Sequence, residues 1–475
     1  MVTEQLPSSR RALRAITRFA TMLAGKLDRP KRGGRVYVNR VSVSNIKGFT
    51  EANLDFAGPE DVHPGWAVIT GDNGSGKTAL LRAIALAILG PEQSRGLVQD
   101  LRGWVTDGEE RGTISVEITP DHLIDRTAKG GQPVQSTFWA EIEIERDASP
   151  GVRADQAWTI APTDVFRNKR KSATNGPWAP NTNGWFTLGY GPFRRMYGSS
   201  PDAQRLMVIP GRIPHFATLF KEDATLSEGE EWAKQLNYQR LENNSESEEA
   251  LTGLIELVAD DFLRQGVRIK GVTSDGISLE DVAGRTVPLS DMSDGYRSAL
   301  AMLMDIYRHM LSVYGARGLV EQLESGPAVV KPGVVLIDEI DAHLHPAWQR
   351  EIGFWLKRHF PLVQFIVTTH SPIVCQAADG GRIYHIPSPS SDDKPFQLTR
   401  ADFEGVIAGK PDQILLSPAF AMEHTRSPRA VRARERRAAL KAKRAASGAL
   451  GEVELREFEE LALFSMDFED SDFTD

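Results

Sequence analysis

The 475-residue chain has a single cysteine, Cys375. One thiol excludes an intramolecular disulfide framework and any cysteine-rich zinc module, and it suits a reducing cytoplasm. No run of 18 apolar residues occurs, so no transmembrane helix and no membrane partner are expected. The first 35 residues are arginine-rich but lack the continuous apolar stretch of a secretory signal. There is no internal repeat, and no heptad array is long enough for a coiled-coil arm. Net charge is modest: 56 Lys+Arg against 64 Asp+Glu leave −8, which by itself does not point to nucleic acid. What remains is the composition of a soluble globular protein of two or three units, with a core large enough to need no staple.

The modest average conceals charge blocks. Residues 1–35 carry nine basic and two acidic side chains, and residues 426–444 carry nine and one. Each stripe is either a solvated helix face or a surface that neutralises nucleic-acid phosphates. Residues 452–475 carry ten acids and one arginine, with Phe458, Leu461, Phe464, Phe468 and Phe473 interleaved. This reads as a solubilising tail, or as a peptide that docks in a basic apolar groove on this chain or on a partner.

The texture along the chain divides it. Residues 1–34 read as a basic amphipathic leader helix, with Leu13, Ile16, Ala20, Leu23 and Leu27 at helical spacing. Residues 35–100 hold β segments, a short apolar strand at residues 66–70 and a helix from Ala79 to Leu89 that Gly90-Pro91 stops. Residues 101–288 read as an insertion with antiparallel strands and helices, including a loop over 167–184. Residues 289–400 return to buried parallel-strand texture, 401–450 are helical, and 451–475 form the acidic tail.

Gly71-Asp72-Asn73-Gly74-Ser75-Gly76-Lys77-Thr78 fits G-x-x-x-x-G-K-[ST] in full, between a strand and a helix. The glycines let backbone N–H groups face phosphate oxygens, and the helix adds its positive end. Lys77 would reach the β- and γ-phosphates, and the Thr78 hydroxyl would sit on Mg²⁺. The run Val334-Val-Leu-Ile-Asp-Glu339 sets two carboxylates at the end of a buried strand. Asp338 would hold Mg²⁺ and Glu339 would act as general base. Thirty-two residues beyond Asp338, Phe365-Ile-Val-Thr-Thr-His370 is another apolar strand that ends in a histidine, which could reach the γ-phosphate.

Together these segments resemble the ABC-type ATPase superfamily, in particular its RecF/SMC/OLD-like branch. Met292-Ser293-Asp294-Gly295-Tyr296, ahead of a helix, is similar to the LSGGQ signature; Ser293 and Gly295 keep the pattern, whereas Asp294 and Tyr296 depart from it. Asn45-Ile-Lys-Gly-Phe49 is similar to the opening N-F-R-x-F segment, with Lys47 at the usual arginine. Ile340-Asp-Ala-His-Leu-His-Pro346 is similar to the D-loop stretch of OLD-like members. The resemblance covers roughly residues 35–90 and 285–390. It implies an α/β, ABC-type P-loop head: a mostly parallel sheet with helices, an antiparallel β subdomain, a helical and irregular insertion, and helical termini. It implies ATP and Mg²⁺ as cofactors, with Ser293 and Gly295 clamping nucleotide held by a second copy and Asp341 acting across that interface. His343 and His345 could instead be metal ligands; the interface role is the stronger reading.

No Q-loop glutamine can be placed. Trp185-Phe-Thr-Leu-Gly-Tyr-Gly-Pro-Phe-Arg-Arg195 stands near its position, and Tyr190, Arg194 and Arg195 could touch nucleotide, couple the head to the middle region, or form a buried turn. The Toprim acids of OLD nucleases and an HNH cluster are both missing, so any cutting would belong to a partner. Heads of this size resemble the ATPase subunits of anti-phage systems such as Septu and PARIS. The expectation is an ATP-hydrolysing switch that pairs as a homodimer or higher homo-oligomer and controls a separately encoded nuclease or toxin, with nucleic acid reached through the basic segments. A RecF-type repair ATPase and a slow, nucleotide-gated scaffold that holds a toxin are the alternatives.

Overall fold

The computed structural model describes residues 37–57, 65–98, 100–127, 131, 134, 136–147, 157–163, 172–179, 182–194, 200–207, 209, 211–226, 228–263, 266–389, 391 and 393–464. The expected leader helix, residues 167–171 and 180–181 of the expected loop, Arg195, and residues 465–475 of the tail lie outside them. In chain order the strands are β1 (Tyr37–Ile46), β2 (Phe49–Asp55), β3 (Trp66–Gly71), β4 (Arg111–Thr119), β5 (Phe138–Arg146), β6 (Trp158–Pro162), β7 (Thr187–Tyr190), β8 (Arg268–Thr273), β9 (Gly276–Glu280), β10 (Thr286–Pro288), β11 (Val320–Leu323), β12 (Gly326–Val329), β13 (Gly333–Ile337), β14 (Val363–Thr368), β15 (Arg382–Ile386) and β16 (Phe396–Gln397). The longer helices are α1 (Lys77–Leu97), α2 (Glu228–Leu241), α3 (Ser245–Ala259), α4 (Asp294–Tyr314), α5 (Pro346–His359), α6 (Arg400–Ala408), α7 (Pro428–Ser447) and α8 (Glu452–Glu460).

The central sheet has the order β16-β15-β3-β14-β13-β7. Only the short edge strand β16 runs antiparallel to its neighbour. Its inner strands are apolar on both faces because both faces are covered, the usual state of a parallel sheet. Alternation assigns the faces. Ala67, Ile69, Val334, Leu336 and Ile366 pack with α1, while Trp66, Val68, Val335, Ile337, Phe365 and Val367 join a second core that includes α4 and α5. The connection from β14 to β15 passes β3, so the order changes direction beside the end of β3. Such a switch point opens a crevice at the carboxyl ends of the strands.

A second, antiparallel sheet has the order β2-β1-β4-β5-β6. Strands β4, β5 and β6, the antiparallel strands expected within residues 101–288, continue the sheet that β1 begins, with Val41 opposite Val116 and Val43 opposite Ile114. Strand β1 has two edges and β2 covers one; the ladder groups of the other edge need a strand, and β4 supplies it from far along the chain. Helix α1 lies between the two sheets, and for that reason Leu80, Leu81 and Ala83 through Leu89 are all buried. A helix buried all round has no polar stripe.

The helix breaks at Gly90-Pro91, where the backbone leaves helical geometry. Gly90 has φ 78°, and the helix resumes to Leu97. Pro91 has no N–H to offer the carbonyl of Ala87, four residues back. Trp178 fills the gap, its indole Nε1 donating to Ala87 O at 2.8 Å. Trp178→Phe keeps the ring packing and orphans that carbonyl, a loss of about 1–3 kcal/mol. Thermal unfolding should shift down by about 1–3 °C (roughly 1 °C per kcal/mol at this size); an unchanged melting temperature would show that the bond is worth nothing.

The polar tract at 242–249 turns α2 into α3. Asn244 caps α3 by accepting from the N–H groups of Glu246 and Ser247. At the C-terminal end, α8 folds back along the basic helix α7. Arg436 is held bidentately by Glu457 and Lys443 meets Glu454, while the Arg437 guanidinium lies 4.8 Å from the Phe458 ring centre. The described part of the acidic tail is thus a helix docked on this chain's own basic helix. Both ion pairs are exposed and screened by solvent, so they add little to stability. No helix among the described residues is long and apolar enough to cross a membrane.

Candidate functional site

The phosphate loop leaves β3 at Gly71 (φ 146°) and turns through Gly74 (φ 78°) and Gly76 (φ 98°), which side chains other than glycine rarely adopt. A Cβ on Gly76 would meet the Phe49 ring at 2.7 Å, so Phe49 of the opening segment braces the loop from below. Lys77 is buried and donates to Gly71 O at 2.9 Å and to Asp72 O at 2.8 Å. Burial pushes its pKa down, while Asp338 and Glu339 pull it back up. The Ser75 hydroxyl is buried with no hydrogen-bond partner among the described residues.

Parallel pairing brings the ends of β3, β13 and β14 to one edge. Asp338, fully buried, accepts from Thr78 Oγ1 at 2.6 Å and from Thr368 Oγ1 at 2.5 Å. Thr368 Oγ1 in turn accepts from the Glu339 N–H at 2.7 Å. Glu339 itself has φ 45°, a left-handed turn that costs a non-glycine residue about 1–2 kcal/mol. That turn brings Glu339 to the same cleft as the loop. The cleft encloses about 600 Å³, and its walls include Asn73, Lys77, Thr78, Lys47, Glu339 and His370. These six expected residues, from four separate stretches of chain, therefore share one space.

The wall opposite was not foreseen. Arg82, one turn beyond Thr78, donates through Nε to Leu219 O at 2.7 Å, and its guanidinium lies 5.9 Å from the Phe220 ring centre. Phe220 stacks on Trp104 at 6.4 Å, and Lys47 Nζ lies 4.9 Å from the Trp104 ring centre. Burial lowers the pKa of Lys47, and Arg82 adds to that shift. A basic residue one turn after a phosphate loop is readable in the sequence; its pairing with residues 219–220 is not.

Other expected residues stand elsewhere. Ser293 caps the N-terminus of α4 without a side-chain bond, and Ser293 and Gly295 are not among the residues that line the cleft. Gly295 packs under the D-loop stretch, where a Cβ would meet His343 O at 2.6 Å. Asp341 is engaged within the chain: Oδ1 accepts from Thr369 Oγ1 at 2.5 Å and from the His370 N–H. His345 caps α5, its ring accepting from the Ala347 N–H. No cluster of metal-ligating side chains occurs among the described residues, so nothing joins His343 and His345 into a metal site. Tyr190 is buried and donates to Asp305 at 2.8 Å, while Arg194 lies under the 338–342 turn; neither lines the cleft.

Two family models match this framework. One, described as "AAA domain", spans residues 40–175, and the other, "AAA domain, putative AbiEii toxin, Type IV TA system", spans 167–375. The fold is α/β, with the phosphate loop at the end of a mostly parallel sheet and an antiparallel sheet beside it. A Septu protein PtuA of Bacillus mycoides (strain KBAB4) is 25% identical to this chain over 74% of the chain's length. The "Retron Ec83 probable ATPase" of Escherichia coli is 41% identical over 20% of it. The chain spans 40% of the first protein's length and 16% of the second's. Among solved structures, an SMC head bound to the C-terminal winged-helix domain of ScpA is similar over 77% of this chain and 98% of its own, with 15% identity and a TM-score of 0.41. The chain is thus similar to a Septu protein and to probable retron ATPases.

Proposed function

We propose that this chain binds ATP with Mg²⁺ in the cleft, hydrolyses it to ADP and phosphate, and uses the cycle to control a separately encoded effector, a nuclease or a toxin, in anti-phage defence. One observation carries the reading: the phosphate loop, the Thr78–Asp338–Thr368 hydrogen-bond chain, Glu339 and His370 converge on one cleft. The site's chemistry suits the ligands. The loop offers the ammonium of Lys77 and the unpartnered hydroxyl of Ser75 to phosphate oxygens, and Thr78 with Asp338 forms an all-oxygen donor pair suited to a hard cation. Bound Mg²⁺ would neutralise charge on the phosphates. Glu339 would accept a proton from the attacking water, and Lys47 and His370 would bear on the anion from the two sides. Loss of phosphate release on chelation of the divalent ion is the direct check; release that persists would remove the Mg²⁺ assignment.

Pairing of two copies is part of this proposal. Ser293 and Gly295 sit at an exposed helix N-terminus, away from the cleft of their own chain, which favours a phosphate held by a second copy. Ser293→Arg should therefore bind ATP like the wild type yet show no ATP-dependent gain in mass by light scattering. A variant that still pairs on ATP would overturn the clamp role. The Septu resemblance supports the defence reading, and co-purification with the products of neighbouring genes identifies the effector.

A further inference from the structure

Arg194 is 3% exposed, yet among the described residues no carboxylate is bonded to it. Its guanidinium donates instead to backbone carbonyls. Nη1 reaches Gly191 O at 3.0 Å and Asp338 O at 2.9 Å, and Nη2 reaches Glu339 O at 3.0 Å, with Ile340 O and Ala342 O at 3.4 Å. Burial lowers its pKa to about 10, which leaves it charged at neutral pH. A buried cation is costly, and an apolar side chain of similar volume would fill the space more cheaply. What the arginine supplies is geometry: a rigid fork of donors that can hold several carbonyls of one turn at once. That turn contains Glu339 at φ 45° and His343 at φ 65°.

The residue also faces the other way. Its own carbonyl accepts from Ser298 Oγ at 2.8 Å, and Ser298 lies in α4 five residues after the cap Ser293. Four residues before Arg194, Tyr190 is tied to Asp305 of the same helix. The segment from β7 to Arg194 is thus fastened to α4 at two points and to the Glu339 turn at a third. We propose that Arg194 is a positioning residue that joins the first turns of α4 to the backbone of the 338–342 turn, so that the placement of the signature helix sets where the Glu339 carboxylate stands. The proposal rests on the reading of Glu339 as the base. Arg194 does not line the cleft, and it acts on turnover through Glu339.

The test measures ATP affinity, kcat and melting temperature on the full chain for Arg194→Lys, Ser298→Ala, Glu339→Gln and the double variant Arg194→Lys/Glu339→Gln. Lysine keeps the charge, but a single ammonium cannot span the carbonyls. Arg194→Lys should lower kcat about 10-fold or more with ATP affinity within about 2-fold, and Ser298→Ala should lower kcat about 3-fold. Adding Arg194→Lys to Glu339→Gln should cost nothing further, because both act at one carboxylate. Wild-type kcat in Arg194→Lys, affinity falling in step with rate, or losses that multiply in the double variant would each overturn the proposal. If Arg194→Lys does not fold, Ser298→Ala decides, and an unchanged kcat there overturns it. Wild-type turnover in Glu339→Gln would instead sink the base assignment, a separate result.

Discussion

Glu339→Gln should keep ATP binding and lower turnover by about 10²- to 10⁴-fold, the range that a positioned general base contributes. The substitution is nearly isosteric. It leaves the Glu339 N–H on Thr368 Oγ1 and the carbonyl on Arg194, since both bonds are made by the backbone. What it removes is the charge that accepts the proton. Binding should persist because the groups that would hold phosphate and metal, Lys77, Thr78 and Asp338, are untouched. With hydrolysis blocked and binding intact, the nucleotide-bound pair should accumulate and be visible as a doubled mass in ATP and not in ADP. Phosphate release and mass measurement on the same preparation check both halves. A variant that turns over like the wild type would show that another group takes the proton.

Lys77→Ala should act on the opposite side of the cycle. A hydrogen bond to a charged group is worth about 1.5–3 kcal/mol, so ATP affinity should fall by about 10- to 150-fold from the lost phosphate contact alone. Two further effects add to it. Lys77 also fastens Gly71 O and Asp72 O, and without it the loop carbonyls lose their donor. The site loses its buried cation while Asp338 and Glu339 remain, so the field at the phosphates turns more negative. ATP affinity by calorimetry checks this, and an unchanged value would remove the phosphate-loop assignment. The pair of variants separates binding from chemistry: one should lose ATP, and the other should keep it unspent.

The parts of this site that could be read in sequence are those written in contiguous residues. The phosphate loop, the strand that ends in Asp338-Glu339 and the strand that ends in His370 each carry their chemistry at fixed local spacing, because a strand end or a loop–helix junction positions its own neighbours. Composition likewise disclosed the basic stretch at 426–444 and the acids beyond 452. The joins between such segments were settled in three dimensions. Thr78 and Asp338 are 260 positions apart and become partners only because β3, β14 and β13 lie side by side. Thr368 becomes a bridge between Asp338 and Glu339, and Arg194 a clamp under the 338–342 turn, through the same strand order. The pairing of β4 with β1, and the seating of the acidic helix on the basic one, are further contacts between distant segments. Local periodicity states which face of an element is apolar and which residues cluster at its end. Which element meets that face is decided by the burial of both faces of the central sheet and the pairing of every ladder edge, and these are properties of the whole chain.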